Sequence, residues 1–421
     1  MQTQSNAENT SAVALPTDVI TIVGAGQAAC VVARTLRGGG HRGPIRMIGE
    51  EPHLPYERPP LSKAVLLGQA TVESTYLATA DQLLAQDIAW IHGQATAIDR
   101  DDRHVHLSDG RSLPYDRLVL ATGGRARSLP LPGAGLAGIV SLRTLEDAAV
   151  IAAQLHAAGP IVIVGGGWIG LEVAASARKT GADVTVVEAL PMLCARSLPP
   201  CVADHLLVLH RAAGVTVRLN CGVRGFVGQD SVRAVELDDG QVLPADLVVV
   251  GVGMIPNSDI ARDAGLAVAS GILVDEDGRT SDPLIFAAGD VTETQTVAGL
   301  VRVESWANAN EQGAGVAAAL LGHRRAAHPP AWFWSDQYDA NIQMLGRFSP
   351  GTESIVLGAP EDGAATWLYL ADGGIAAAIA INRPRDIQAA RRLIQRGLSV
   401  TPEAITRVGG DLSLLLRQAA A

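Results

Sequence analysis

Residues 18–23, DVITIV, form a short β-branched run of the kind that fills a parallel strand buried on both faces. A glycine-rich stretch follows, then a helix-like segment from Ala28 to Leu36. A turn at His41–Pro44 leads into a second strand, IRMIGE, at 45–50. Strand, glycine loop, helix and strand make one βαβ unit. The same order returns at 161–188, as IVIV, GGGWIG, LEVAASARKT, GAD and VTVVE. Each unit is followed by the pattern of a β-meander, first over 88–120 and again from VTVRLN to VVVGVG. D-G turns punctuate both, at Asp109-Gly110 and Asp239-Gly240. The repeat is one of architecture, not of a short solenoid period. Beyond Gly322 the pattern changes. HRRAAHPP (323–330) is a proline-containing linker, TWLYL and IAAAIAI read as strands, and Asp386–Gly397 reads as a helix. The fold class expected is α/β: two Rossmann-like (doubly wound, βαβ plus β-meander) nucleotide-binding domains and a small α+β C-terminal domain.

Length supports that division, because 421 residues exceed what one core holds and suggest two or three domains. With 48% hydrophobic and 18% charged residues, the chain falls among ordered globular proteins. The formal net charge of −10 argues against non-specific nucleic-acid binding, which needs a basic face. Cys30, Cys194, Cys201 and Cys221 form no C-x-x-C, and no Cys/His set has zinc-ligand spacing, so no metal site is expected. Residues 1–17 are small and polar and read as a disordered tail, without the basic and apolar regions of a signal peptide. No apolar run reaches the ~18 residues that would cross a bilayer. A cytoplasmic, reduced location without membrane attachment is the expectation.

The candidate chemistry lies in the two glycine loops. In Gly24-Ala-Gly26-Gln-Ala-Ala29, Gly24 serves the tight turn and Gly26 the approach of the backbone to a pyrophosphate. Ala29 serves close helix–strand packing. The helix N-terminus then offers unpaired N–H groups to the diphosphate. Glu50, 26 residues after Gly24, ends the second strand where a ribose hydroxyl is held, a little beyond the usual ~20. The second loop, Gly165-Gly-Gly167-Trp-Ile169-Gly170, is followed 23 residues after Gly165 by Glu188. A carboxylate there accepts from a 2′-hydroxyl and repels a 2′-phosphate. The next residues, Ala189-Leu190-Pro191, offer no arginine for that phosphate, so NADH is preferred to NADPH. Two dinucleotide sites in one chain point to NADH and FAD.

Several further motifs occur in order. They are Tyr56-Glu-Arg58-Pro-Pro-Leu-Ser-Lys63, Ala121-Thr122-Gly123, Gly251-Val-Gly253-Met-Ile-Pro256-Asn257, and Thr280-Ser281 through Phe286-Ala-Ala-Gly289-Asp290. Glu304-Ser-Trp306-Ala-Asn308-Ala and Trp332-Phe-Trp334-Ser-Asp336-Gln337 complete the set. With them the chain resembles the FAD-dependent NADH:ferredoxin reductases of the putidaredoxin reductase type, which serve cytochrome P450 and Rieske oxygenase systems. The resemblance runs from about residue 18 to about 400.

The resemblance implies an FAD-binding domain at 18–124 and 253–328, an NAD-binding domain at 125–252, and a C-terminal domain at 329–421. It implies non-covalent FAD, with Gly24, Gly26, Ala29, Glu50, Thr122 and Asp290 around it, Asp290 on the ribityl chain, and makes Gly253 a further cofactor-binding residue. Lys63 would lie beside the isoalloxazine, where a cation stabilises the charge of the reduced ring. Arg58 would reach the diphosphate or brace its loop. Glu172 would sit near the nicotinamide and pair with Lys63, or serve only as a helix-start acid. Arg196 would touch the NAD ribose or phosphate, or solvent. Trp306 and Trp334 would flank the ring or the electron exit, or fill the core. The reaction implied is hydride transfer from NADH to flavin, then two single-electron transfers to a [2Fe–2S] ferredoxin. Residues 51–67 hold no cysteine, so no sulfur relay follows the flavin. Arg302, Arg324, Arg325 and Arg347 are candidates for meeting an acidic ferredoxin. A rubredoxin reductase or an NADH oxidase of the same fold is the alternative, and a non-enzymatic FAD/NAD sensor a more distant one. Both monomers and homodimers fit this architecture.

Overall fold

A computed structural model describes residues 13–155, 159–296, 299–324, 329–348, 352 and 354–418. The chain divides into two compact units, and each is built from three stretches of sequence.

The first unit comprises Met1–Glu57, Glu73–Arg125 and Ile255–His328. Its centre is a five-stranded parallel sheet in the order Ile285–Ala287, Arg117–Leu120, Ile20–Val23, Ile45–Gly49 and Ile88–His92. The three inner runs ITIV, RLVL and IRMIG are apolar because helices or loops cover both faces. Helix Gln27–Gly38 turns Ala28, Ala29, Cys30, Val32, Ala33 and Leu36 into the core. It packs on helix Trp306–Leu320 at Gly313, where a Cβ would stand only 2.9 Å from the Ala28 carbonyl oxygen. The expected meander is an antiparallel sheet of Ala95–Asp99, His104–Leu107 and Ser112–Pro114. The D-G turn closes its second hairpin with Gly110 at φ +87°.

The segment expected as a disordered tail differs in part. Residues 1–12 lie outside the described residues. Ala14 N donates to Leu320 O at 2.8 Å, and Arg42 N and Gly43 N donate to Pro16 O at 2.8 and 2.9 Å. Buried Arg117 explains the rest: it lies 3.4 Å from Asp18 and donates to Val13 O at 3.0 Å. Such a buried guanidinium needs every partner within reach, and the tail supplies one.

The second unit comprises Arg58–Val72, Ala126–Met254 and Pro329–Ala421. Its parallel sheet has the order Thr216–Arg218, Asp183–Val187, Pro160–Val164, Leu247–Val250 and Ile139–Val140. A second meander is formed by Val223–Gly228, Val232–Leu237 and Val242–Pro244. The C-terminal part is a five-stranded antiparallel sheet ordered Trp332–Gln337, Ala340–Gly346, Gly374–Ile381, Ala364–Ala371 and Ser354–Ala359. Helix Pro384–Gln395 packs Ile387, Ala390 and Leu393 against it.

Residues 58–72 group with this unit, although the sequence reading places them in the FAD portion. The reason is local. Arg58 donates to the Arg143 carbonyl, Ser176 Oγ donates to Ser62 O at 2.7 Å, and Lys63 pairs with Glu172. Among the described residues, no helix is long and apolar enough to cross a membrane.

Candidate functional site

In the first unit, strand Ile20–Val23 runs into Gly24 at φ +115°, a conformation that side chains other than glycine rarely adopt. A Cβ there would lie 2.1 Å from the Ala121 carbonyl oxygen, so the turn is sealed against its neighbouring strand. Gly26 is the opposite case. A Cβ there would meet nothing within 4 Å. Gly26 also caps helix Gln27–Gly38 without a side-chain bond, and first-turn N–H groups have no partner within a helix. That space and those donors fit a diphosphate. Ala29 is fully buried, as close helix packing requires.

Glu50 is exposed at the end of strand Ile45–Gly49, and half-buried Asp290 follows Gly289, whose φ is +86°. The Thr122 hydroxyl donates to Asn257 O at 2.8 Å, and Asn257 Nδ2 returns a bond to Thr122 O at 3.1 Å. This side chain ties two loop segments together. Trp306 opens its helix, and its indole N–H donates to Glu57 Oε1 at 3.1 Å.

In the second unit the arrangement repeats. Gly165 has φ +108°, and a Cβ there would lie 2.5 Å from Gly251 O. A Cβ on Gly170 would lie 2.2 Å from Gly165 O, so this glycine sets how closely the helix Trp168–Lys179 seats on the loop. Gly167, the helix cap, has no such restraint: the nearest atom to its Cβ position is Gly251 O at 4.0 Å. The cradle again fits a diphosphate. Glu188 accepts from Gly166 N at 2.6 Å and from Leu190 N at 2.8 Å, which pins its carboxylate beside the loop. Ile169 is exposed. Arg196 is also exposed, and its guanidinium lies 3.7 Å from the Cβ position of Gly253, a residue at φ +110°.

The same unit holds the charged pair. Glu172 is 4% exposed, and its Oε2 lies 2.8 Å from Lys63 Nζ. Ser62 donates to that oxygen as well, and Ser335 Oγ donates to Oε1 at 2.6 Å. Lys63 Nζ also reaches Pro59 O at 3.3 Å. Arg58 donates to the Arg143 carbonyl. Trp334 stacks on Trp332, with ring centres 5.0 Å apart. The sequence motifs include Ser62, Ser335 and Gln337 but assign them no role, and His210 lies in none of them. Ser335 and Gln337 alternate along one strand and so share its face, which was a usable signal. Of the candidate docking arginines, Arg302 pairs with Glu304, Arg324 and Arg347 are exposed, and Arg325 lies outside the described residues.

Residues 18–313 match the pyridine nucleotide-disulphide oxidoreductase family, and residues 332–418 match the reductase C-terminal family. The chain belongs to the pyridine nucleotide-disulphide oxidoreductases. It is similar to putidaredoxin reductase of Pseudomonas putida, 43% identical over 411 residues that span 95% of this chain and 96% of the relative. It is likewise similar to the ferredoxin–NAD(+) reductase component of the anthranilate 1,2-dioxygenase system of Burkholderia cepacia. That relative is 44% identical over 397 residues, 92% of this chain and 97% of the other. Among solved structures it is similar to the covalent putidaredoxin reductase–putidaredoxin complex, with a TM-score of 0.91 and 42% identity. The alignment covers 96% of this chain and 99% of that one. In this oxidoreductase the cysteines are not a redox pair: Cys30, Cys194 and Cys221 are buried, Cys201 is exposed, and all four are free. Burial pushes the Cys30 thiol up to about 11 and raises Cys194 and Cys221 too, so none of these three is poised as a thiolate.

Proposed function

We propose that this chain is an NADH-dependent ferredoxin reductase. It takes electrons from NADH through non-covalently held FAD and delivers them to a [2Fe–2S] ferredoxin serving a cytochrome P450 or a Rieske oxygenase. The observation that carries this reading is the pair of open glycine cradles, at Gly26 and Gly167, in a chain similar over nearly its whole length to reductases named for such electron carriers. When bound, FAD takes up two electrons from NADH and releases them singly.

The residues divide the work. Gly24, Gly26 and Ala29, with Glu50, Thr122, Asp290 and Trp306, hold FAD. Gly165, Gly167, Ile169 and Gly170, with Glu188, Arg196 and Gly253, hold NADH. Glu188 excludes the 2′-phosphate of NADPH by charge, since its carboxylate is fixed at the loop by two backbone donors. Lys63 and Glu172 are assigned the catalytic roles that the resemblance gives them. The buried, high-pKa thiols support direct electron exit without a sulfur relay. The cytoplasm, where thiols stay reduced, is the proposed location.

The test is NADH turnover by the FAD-loaded protein with three acceptors: a [2Fe–2S] ferredoxin, a rubredoxin and oxygen. The ferredoxin is expected to be the fastest. Faster reduction of oxygen would make this an NADH oxidase, and faster reduction of rubredoxin a rubredoxin reductase.

A further inference from the structure

The Lys63–Glu172 pair is the end of a longer chain of contacts, all within the second unit. Ser335 Oγ donates to Glu172 Oε1 at 2.6 Å. Gln337 Nε2 donates to Ser335 Oγ at 3.1 Å. Gln337 Oε1 lies 2.8 Å from His210 Nε2, and His210 Nδ1 lies 3.0 Å from the Tyr338 hydroxyl. Ser335, Gln337 and His210 are each 0% exposed, so these groups are shut away from bulk water.

The carboxylate dictates every proton in this chain. Glu172, as the partner of an ammonium, can only accept. Ser335 must therefore donate to it, and its lone pairs are left for the Gln337 amide N–H. That turns the Gln337 carbonyl to His210, which must present N–H at Nε2. Burial lowers the His210 pKa and keeps the ring neutral, so Nδ1 carries no proton and accepts from Tyr338. All four hydrogen bonds point one way, toward Glu172. Bonds aligned in this sense polarise one another, most of all in a dry interior.

We propose that Ser335, Gln337 and His210 are positioning residues for Glu172: they hold its carboxylate turned toward Lys63. The proposal rests on the catalytic reading of Lys63 and Glu172 above. It gives the C-terminal strand Trp332–Gln337 and the helix Pro200–Ala212 a part in flavin reduction by NADH, through residues that touch neither cofactor.

The experiment uses the full-length, FAD-loaded enzyme, with FAD content and thermal midpoint recorded for each variant. Rapid mixing with NADH measures flavin reduction in Ser335→Ala, Glu172→Gln and the double variant. Ser335→Ala is expected to slow reduction roughly 10-fold, the worth of one charge-assisted hydrogen bond. Added to Glu172→Gln, it is expected to cost no more than about 2-fold, because the carboxylate it serves is already gone. An equal loss in both backgrounds overturns the positioning role while leaving the reading of Glu172 intact. No effect of Glu172→Gln by itself overturns that reading, and this proposal with it. A second readout is independent of turnover: NMR of nitrogen-labelled histidine in the oxidised holoenzyme, with His210 assigned by its loss in His210→Gln. The neutral Nε2–H tautomer is expected at about pH 7. A neutral Nδ1–H ring or a charged one there overturns the direction of the chain.

Discussion

Two glycines three residues apart should respond oppositely to the same added methyl group. Gly167 has φ −84° and ψ 178°, which alanine adopts freely, and its Cβ position has no protein atom closer than 4.0 Å. Gly167→Ala should therefore alter stability by no more than about 1 kcal/mol, the scale of losing a good helix cap. The methyl group would instead fill the space left for the NADH diphosphate. Pushing a diphosphate off its N–H donors by about 1 Å should cost binding roughly 1.4–2.8 kcal/mol, or about 10- to 100-fold in KM. Gly170→Ala meets the Gly165 carbonyl oxygen at 2.2 Å and Ile163 Cγ2 at 3.2 Å. Gly165 cannot retreat, being held at φ +108° with its N–H on Val187 O at 2.8 Å. A helix interior favours alanine by about 1 kcal/mol, but overpacking of this kind costs about 1–3 kcal/mol, and the 2.2 Å contact places it at the upper end. The net loss of about 1–2 kcal/mol should lower the thermal midpoint by roughly 2–8 °C. Steady-state kinetics with NADH and thermal unfolding, with FAD content as a control, separate the two. A Gly167→Ala enzyme with its NADH KM within about 2-fold of the parent would refute the assignment of this loop to the diphosphate.

Other expectations follow from the same geometry. Glu188→Ala should raise the KM for NADH and narrow the preference over NADPH by roughly 100-fold, read from kcat/KM for the two nucleotides; an unchanged ratio would remove Glu188 from specificity. Asp18→Ala leaves the buried Arg117 charge without its carboxylate, and should cost about 3–5 kcal/mol in urea unfolding; a loss under 1 kcal/mol would show that the carbonyls suffice. His210, buried and lowered in pKa, is refused a proton in the folded state that the unfolded chain binds below about pH 6.5. Its contribution to stability is complete above that pH and declines below it by up to about 1.4 kcal/mol per pH unit, so the urea midpoint should drop from pH 7 to 5.5 and drop less in His210→Gln. Mass spectrometry after maleimide treatment of the native protein should find one adduct, on Cys201, the single exposed cysteine. A second rapid adduct would contradict the burial of the others.

Both βαβ units were legible because local physics is enough for them. β-branched runs such as ITIV and PIVIV have one good environment, and a glycine at Gly24 or Gly165 marks a turn that no side chain can make. The pairing of Lys63 with Glu172 was legible only through the resemblance, since 109 residues separate the two (172 minus 63) and neither shows its partner locally. What escaped reading shares one cause. Ser335 and Gln337 look like ordinary polar positions of an alternating strand, until a helix more than a hundred residues earlier brings His210 against them. The bond from the Thr122 hydroxyl to Asn257 O likewise joins residues 135 positions apart in the chain. Residues 13–17 look like tail because their anchor is a buried arginine at position 117. Long-range polar satisfaction decides all three, and it carries no periodic signature.

The contact between helices Gln27–Gly38 and Trp306–Leu320 also sets a schedule for synthesis. The first helix emerges from the ribosome about 270 residues before the one that covers it. At about 10 residues per second, its apolar side stays unpartnered for roughly half a minute. Over the same interval every strand of the second unit's parallel sheet, from Ile139 to Val250, has been made. The second unit's parallel sheet can therefore close while the first unit's still waits for its last strand, Ile285–Ala287, and for the helix that follows it. Of the two parallel sheets, the one that begins first is therefore completed last, and the early helix beside it is where a nascent-chain chaperone would be needed.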